Sequence, residues 1–155
     1  MSYLILKYLH VVGSMVILGT GAGIAFFMVM AHRSGDASFV ARTARVVVLA
    51  DFIFTATAVF VQPVTGYLLI KNTGMSGWEA WLVASIALYG LAGAFWLPVV
   101  WMQMRMRDLA EEALSAGQTL SASYRRLFGW WLAFGVPGFG SVMLIIWLMV
   151  AKPSF

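Results

Sequence analysis

The sequence predicts an all-α, polytopic membrane protein in which four transmembrane helices form one up-down bundle. Three observations predict it. Hydrophobic residues make up 62% of the chain and charged ones only 10%, with a mean hydropathy of +0.89; soluble domains are about half apolar and a quarter charged. Runs long enough to cross a bilayer, which takes ~20 residues, fall at about 3–31, 46–70, 79–104 and 127–150. Arginines gather beside these runs and not within them. Short connections then make successive helices antiparallel neighbours.

The first run carries Lys7 and His10 one helical turn apart near its start. It has almost no basic leader and is far longer than a cleavable apolar core, so it reads as a retained span. Gly19 and Gly23 have the small-xxx-small spacing that permits close helix approach. His32-Arg33-Ser34-Gly35-Asp36 ends the helix, and residues 37–45, small and polar, read as a connection.

In the second run, Asp51, Thr55, Ala58, Gln62 and Thr65 follow one another at helical steps, so they form one polar stripe. In lipid that stripe should face the other helices. Pro63 removes one backbone N–H and frees a carbonyl a turn earlier, which a neighbouring helix must satisfy. Residues 71–77 are a glycine-containing turn.

The third run opens on Trp78 and Trp81 at interface depth and contains Ser85, Tyr89 and Pro98. It should continue beyond the membrane to about residue 115, with Arg107 and Glu111 spaced to pair on its surface. The fourth is belted by Trp130-Trp131 and Trp147 and stops at Lys152-Pro153. The methionines, Met102, Met104 and Met106 among them, read as lipid-facing filler.

Seven arginines (Arg33, Arg42, Arg45, Arg105, Arg107, Arg125 and Arg126) lie on one side, against Lys7, Lys71 and Lys152 on the other. The positive-inside rule puts loops 32–45 and 105–126 in the cytoplasm and both termini outside. In a bacterial cell that means the inner membrane. The same asymmetry accounts for the net charge of +4 without any nucleic-acid partner. The partner implied is the lipid bilayer, with a homo-oligomer or a larger membrane complex left open.

There are no cysteines, which excludes disulfides, thiolate metal sites and cysteine nucleophiles. No phosphate loop, zincin motif or hydrolytic triad is present. His10 lies about 10 Å inside the outer boundary. Neutral imidazole is a common haem ligand, and Lys7 is placed to meet a porphyrin propionate. An outer-half pocket of Lys7, His10, Ser14, Gln62, Ser85 and Tyr89 is geometrically allowed, with His10 the candidate ligand of a haem iron. The other reading is that His10 bonds a neighbouring helix while Lys7 snorkels to the interface. His32 is more than ~30 Å from His10 along the helix and cannot share a metal with it. Asp51 reads as a structural ion pair with Arg45 and Arg105, or as a proton-relay carboxylate.

Several stretches carry a resemblance. Leu6 to Gly13, Ala31 to Asp36, Val48 to Asp51, Gln62 to Gly66, Trp96 to Trp101, Met104 to Leu109 and Leu148 to Pro153 resemble domain of unknown function 2269, a family of predicted integral membrane proteins. More distantly, the layout is similar to HemJ-type protoporphyrinogen oxidases and copper-resistance D-like membrane proteins. The shared features are Lys7-x-x-His10, four spans, Tyr124-Arg125-Arg126 before the last helix and Lys152-Pro153 after it. The first likeness implies haem b on the first-helix histidine and a basic residue in the third helix. Here that helix has neither lysine nor histidine in its membrane part. The expected function is haem-dependent electron transfer or an associated oxidoreductase reaction. The alternatives are a cofactor-free accessory or small-molecule-binding subunit and, more weakly, copper handling.

Overall fold

A computed structural model describes residues 2–153. Its helices are α1 (Tyr3–Ser34), α2 (Ala37–Ala50), α3 (Thr57–Thr73), α4 (Ala80–Ser115) and α5 (Ala122–Ala151), and a π-helical segment, Asp51–Ala56, joins α2 to α3. Because α2, the π segment and α3 run on as one 37-residue rod, four rods are long and apolar enough to span a membrane. Neighbouring rods run antiparallel. One end of the bundle carries Lys7, Lys71 and Lys152 and the other carries the arginines; they are called the lysine end and the arginine end below.

Residues 37–45 are helix, not connection. Ala37, Val40, Ala41, Ala44, Val47 and Val48 recur at three- and four-residue steps and are all buried, so the segment is an amphipathic helix with Arg42 and Arg45 on its wet face. Only Gly35-Asp36 separates α1 from α2. Gly35 takes the left-handed conformation (φ 70°) that ends α1, and the Asp36 carboxylate accepts from the Ser38 N–H at 2.9 Å to start α2. Likewise α5 begins at Ala122, ahead of the expected residue 127, because the Ser121 hydroxyl caps the Tyr124 N–H at 3.2 Å. α4 runs on to Ser115.

Packing is unequal at the two ends. The main core lies in the arginine half, where Met28, Val40, Ala44, Met106, Ala110 and Tyr124 bring α1, α2, α4 and α5 together. Met102 and Met106 are therefore core side chains, contrary to the lipid-facing expectation. They fill the gaps that the small alanines of α2 leave against α4. The lysine half has a smaller cluster of Trp81, Leu82 and Leu148, with Ile70 packed against it. Many large apolar side chains, such as Leu4, Phe60 and Val136, point outward, as lipid contact requires.

The close helix approaches are also not at the predicted glycines. A Cβ on Gly19 or Gly23 would meet nothing within 4 Å, whereas one on Gly13 would come within 3.0 Å of Gln62 and one on Gly66 within 3.3 Å of His10. The tight seam is α1 on α3.

Candidate functional site

The polar stripe of the second rod is buried throughout: Asp51, Thr55, Ala58, Gln62 and Thr65 are all under 9% exposed. It feeds two separate polar sites about 20 Å apart along the rod.

At the lysine end, the His10 Nδ1 lies 2.8 Å from the Thr65 Oγ1. The Thr65 hydroxyl is also within reach of backbone carbonyls of its own helix, Val61 at 2.9 Å and Gln62 at 3.1 Å. When its single hydrogen goes to one of them it accepts from the His10 Nδ1–H, and the neutral ring then carries its free lone pair on Nε2. This is the arrangement by which ligating histidines are oriented: one ring nitrogen held by a hydrogen bond, the other left for an electrophile. Gln62 Nε2 donates to the His10 carbonyl at 2.9 Å, so two side chains of the second rod hold one residue of α1. Gln62 Oε1 is buried and has no hydrogen-bond partner among the described residues. Thr65 was visible in the polar stripe, but its role depends on helix rotation, which periodicity leaves open.

The other residues expected here divide. Lys7 is exposed at the rim, its Nζ 5.8 Å from the Tyr3 ring centroid. The Ser14 hydroxyl donates to the Val11 carbonyl at 2.7 Å and the Ser85 hydroxyl to Trp81 at 2.7 Å, each within its own helix. Tyr89 donates to the Val59 carbonyl. That carbonyl is the one that Pro63 cannot serve, since a proline has no N–H for the residue four earlier. Tyr89 therefore repairs the proline defect and is committed to it. The site that the fold assembles is His10, Thr65 and Gln62, with Lys7 outside it.

At the arginine end, Asp51 is 3% exposed, and the expected ion pairs are absent among the described residues. Arg45 binds Glu111 at 2.8 Å and Arg105 binds Glu112 at 3.3 Å. Long arginines on a wet face reach each other's acidic neighbours more easily than a carboxylate turned inward. Arg107 in turn takes Asp108 at 2.7 Å and not the expected Glu111. Asp51 is held by neutral donors. Trp96 Nε1 donates to Oδ1 at 3.3 Å. Gln103, its amide oriented by the hydrogen-bond network, donates to Oδ2 at 3.2 Å and accepts from Trp131 Nε1 at 3.3 Å.

His32 stays remote from His10, more than ~30 Å along α1. Its ring stacks on Phe128 with centroids 3.7 Å apart and planes within 1°. Among the described residues, no three or more His, Cys, Asp or Glu side chains gather in a way that could hold a metal ion.

The family model for predicted integral membrane proteins designated DUF2269 matches residues 4–153. The chain belongs to that family. No curated protein matches it, and no solved structure does. The match takes in all four rods and both polar sites of this DUF2269 protein, which is an integral membrane protein by family and by helix composition alike.

Proposed function

We propose that this DUF2269 protein binds a haem b at the lysine end, with His10 Nε2 as an axial ligand, and works as an electron-transfer or associated oxidoreductase subunit of the bacterial inner membrane. One observation carries the reading. An imidazole inside a span is held through Nδ1 by a threonine hydroxyl whose own hydrogen has a backbone carbonyl within reach, and the tautomer that this pairing supports leaves Nε2 for a ligand. Lys7, on the same face one turn nearer the boundary, would serve a propionate. Gln62 fixes the backbone of His10, and the missing Cβ of Gly66 leaves room for the ring. Haem bound there would supply one-electron chemistry. The arginine end faces the cytoplasm in this reading and the lysine end faces outward.

A cofactor-free accessory subunit is the second reading. The His10–Thr65 and Gln62–His10 bonds favour it, because they knit α1 to α3 without any cofactor. The visible spectrum of detergent-purified protein from haem-replete cells separates the two. Haem binding requires a Soret band that His10→Ala removes or shifts and Thr65→Val perturbs. Protein without a Soret band would leave the accessory reading.

A further inference from the structure

We infer that Asp51 is a proton-binding site in the interior of the membrane, at the arginine end and separate from the His10 site. The inference does not rest on haem binding.

Among the described residues, the surroundings of Asp51 carry no compensating charge. On α1, His32 is stacked on Phe128 and Arg33 is exposed beyond the core. On α2, Arg42 is exposed and Arg45 is bound to Glu111. On α4, Arg105 and Arg107 hold Glu112 and Asp108, and Tyr89 is committed to Val59. On α5, Tyr124 stacks near His32, and Arg125 and Arg126 are exposed. The π segment and α3 bring Thr55 and Lys71, the latter exposed at the opposite end. What reaches Asp51 is one indole N–H, one amide N–H and, four residues along, the Thr55 hydroxyl.

A carboxylate in low dielectric without a counter-ion is costly by several kcal/mol. Intramembrane acids without a fixed partner are accordingly functional positions. The compensating cation must then be mobile, and the simplest one is a proton. Its uptake is RCOO⁻ + H₃O⁺ → RCOOH + H₂O: one O–H bond forms on the carboxylate as one breaks on hydronium, which water at the arginine end supplies. The neutral acid gains a donor, and the buried Thr55 hydroxyl four residues along can turn to accept from it, as it can donate to the ionised form. The two neutral donors serve the ionised form, so both states have hydrogen-bond partners.

The backbone supplies a second, independent observation. Asp51 opens the six-residue π-helical segment, and its N–H is shared between the Val47 and Val48 carbonyls. π segments of this kind concentrate at functional sites, because one inserted residue weakens the local ladder and lets a side chain be re-aimed.

The test exploits a property of this chain. Of its six acidic residues, Asp51 alone is buried. Infrared difference spectra between acid and alkaline pH, recorded in lipid or detergent, should contain a protonated-carboxyl band of a dehydrated acid. That band should shift in D₂O, vanish in Asp51→Asn and persist when Na⁺ is added at fixed pH. Identical bands in the wild type and Asp51→Asn would overturn the inference. Loss of the band on adding Na⁺ would also overturn it, because the site would then bind a metal cation. If Asp51→Asn does not fold, Trp96→Phe keeps the acid and removes one donor to its ionised form. Its titration midpoint should move to higher pH, and an unmoved midpoint would refute the assignment.

Discussion

The Pro63–Val59–Tyr89 relation makes a sharp test at the scale of single residues. In hydrocarbon an unpartnered carbonyl is expensive, and Tyr89 is what spares Val59 that state. Tyr89→Phe should therefore cost about 1–3 kcal/mol in a reversible detergent-unfolding assay. Pro63→Ala restores the missing N–H inside the helix, so in that background Tyr89→Phe should cost only a few tenths. A double-mutant cycle reads the coupling directly. Equal costs in the two backgrounds would mean that the tyrosine packs but does not repair. The freed carbonyl was legible from Pro63 alone, whereas the identity of its rescuer was not. Tyr89 is thirty residues away, and only the docking of α4 beside the second rod brings the two together. The same limit applied to Asp51: its place in the inward stripe was visible and the nearby arginines predicted an ion pair, but the choice of Trp96 and Gln103 over the arginines depends on how α4 is rotated.

Among the elements, the α1–α3 seam is the one that positions the candidate site. It owes its closeness to Gly13 and Gly66, each facing a polar side chain of the partner helix. Gly66→Val should force the His10 ring aside and break its bond to Thr65, with a loss of about 1–3 kcal/mol from overpacking. Any spectral band assigned to His10 should change with it. Gly19→Ala faces open space and should be neutral or stabilising by up to ~1 kcal/mol, since alanine is the better helix former. Thermal unfolding of the two variants compares them directly. If Gly19→Ala were the more damaging change, the seam would be misplaced. Spacing alone pointed to Gly19 and Gly23, because a periodic motif shows which residues share a face but not which face is covered. Residues 37–45 show the complementary error: their arginines drew attention to loop character, while the alanine and valine stripe beneath them was helical.

The whole molecule is asymmetric in charge and in packing. Its extensive core lies at the arginine end and only a small cluster closes the lysine end. The charge asymmetry sets the expected orientation. Because the chain has no cysteine, single cysteines can map it cleanly. Asn72→Cys should react with a membrane-impermeant maleimide in intact spheroplasts, and Gln118→Cys only after the membrane is opened. The reverse pattern would invert the orientation and put the His10 site on the cytoplasmic side. The ion pairs at the arginine end contribute little to this architecture: Arg45 and Glu111 are 68% and 38% exposed, and pairs of that kind are worth about 0–1 kcal/mol.

Composition and periodicity by themselves determined that this is a four-span helical membrane protein, which stripe of the second rod turns inward, and that Lys7 and His10 are the ionisable pair packing explains least. These are properties of single helices, set by hydropathy, span length and the 3.6-residue repeat, and they need no knowledge of neighbours. The tertiary structure alone decided the partners. It paired His10 with Thr65, gave Tyr89 to the carbonyl that Pro63 frees, and left Asp51 among neutral donors while the arginines bound acids at the surface. Each choice depends on the rotation and depth of one helix against another, and those are set by packing across the seams of the whole bundle.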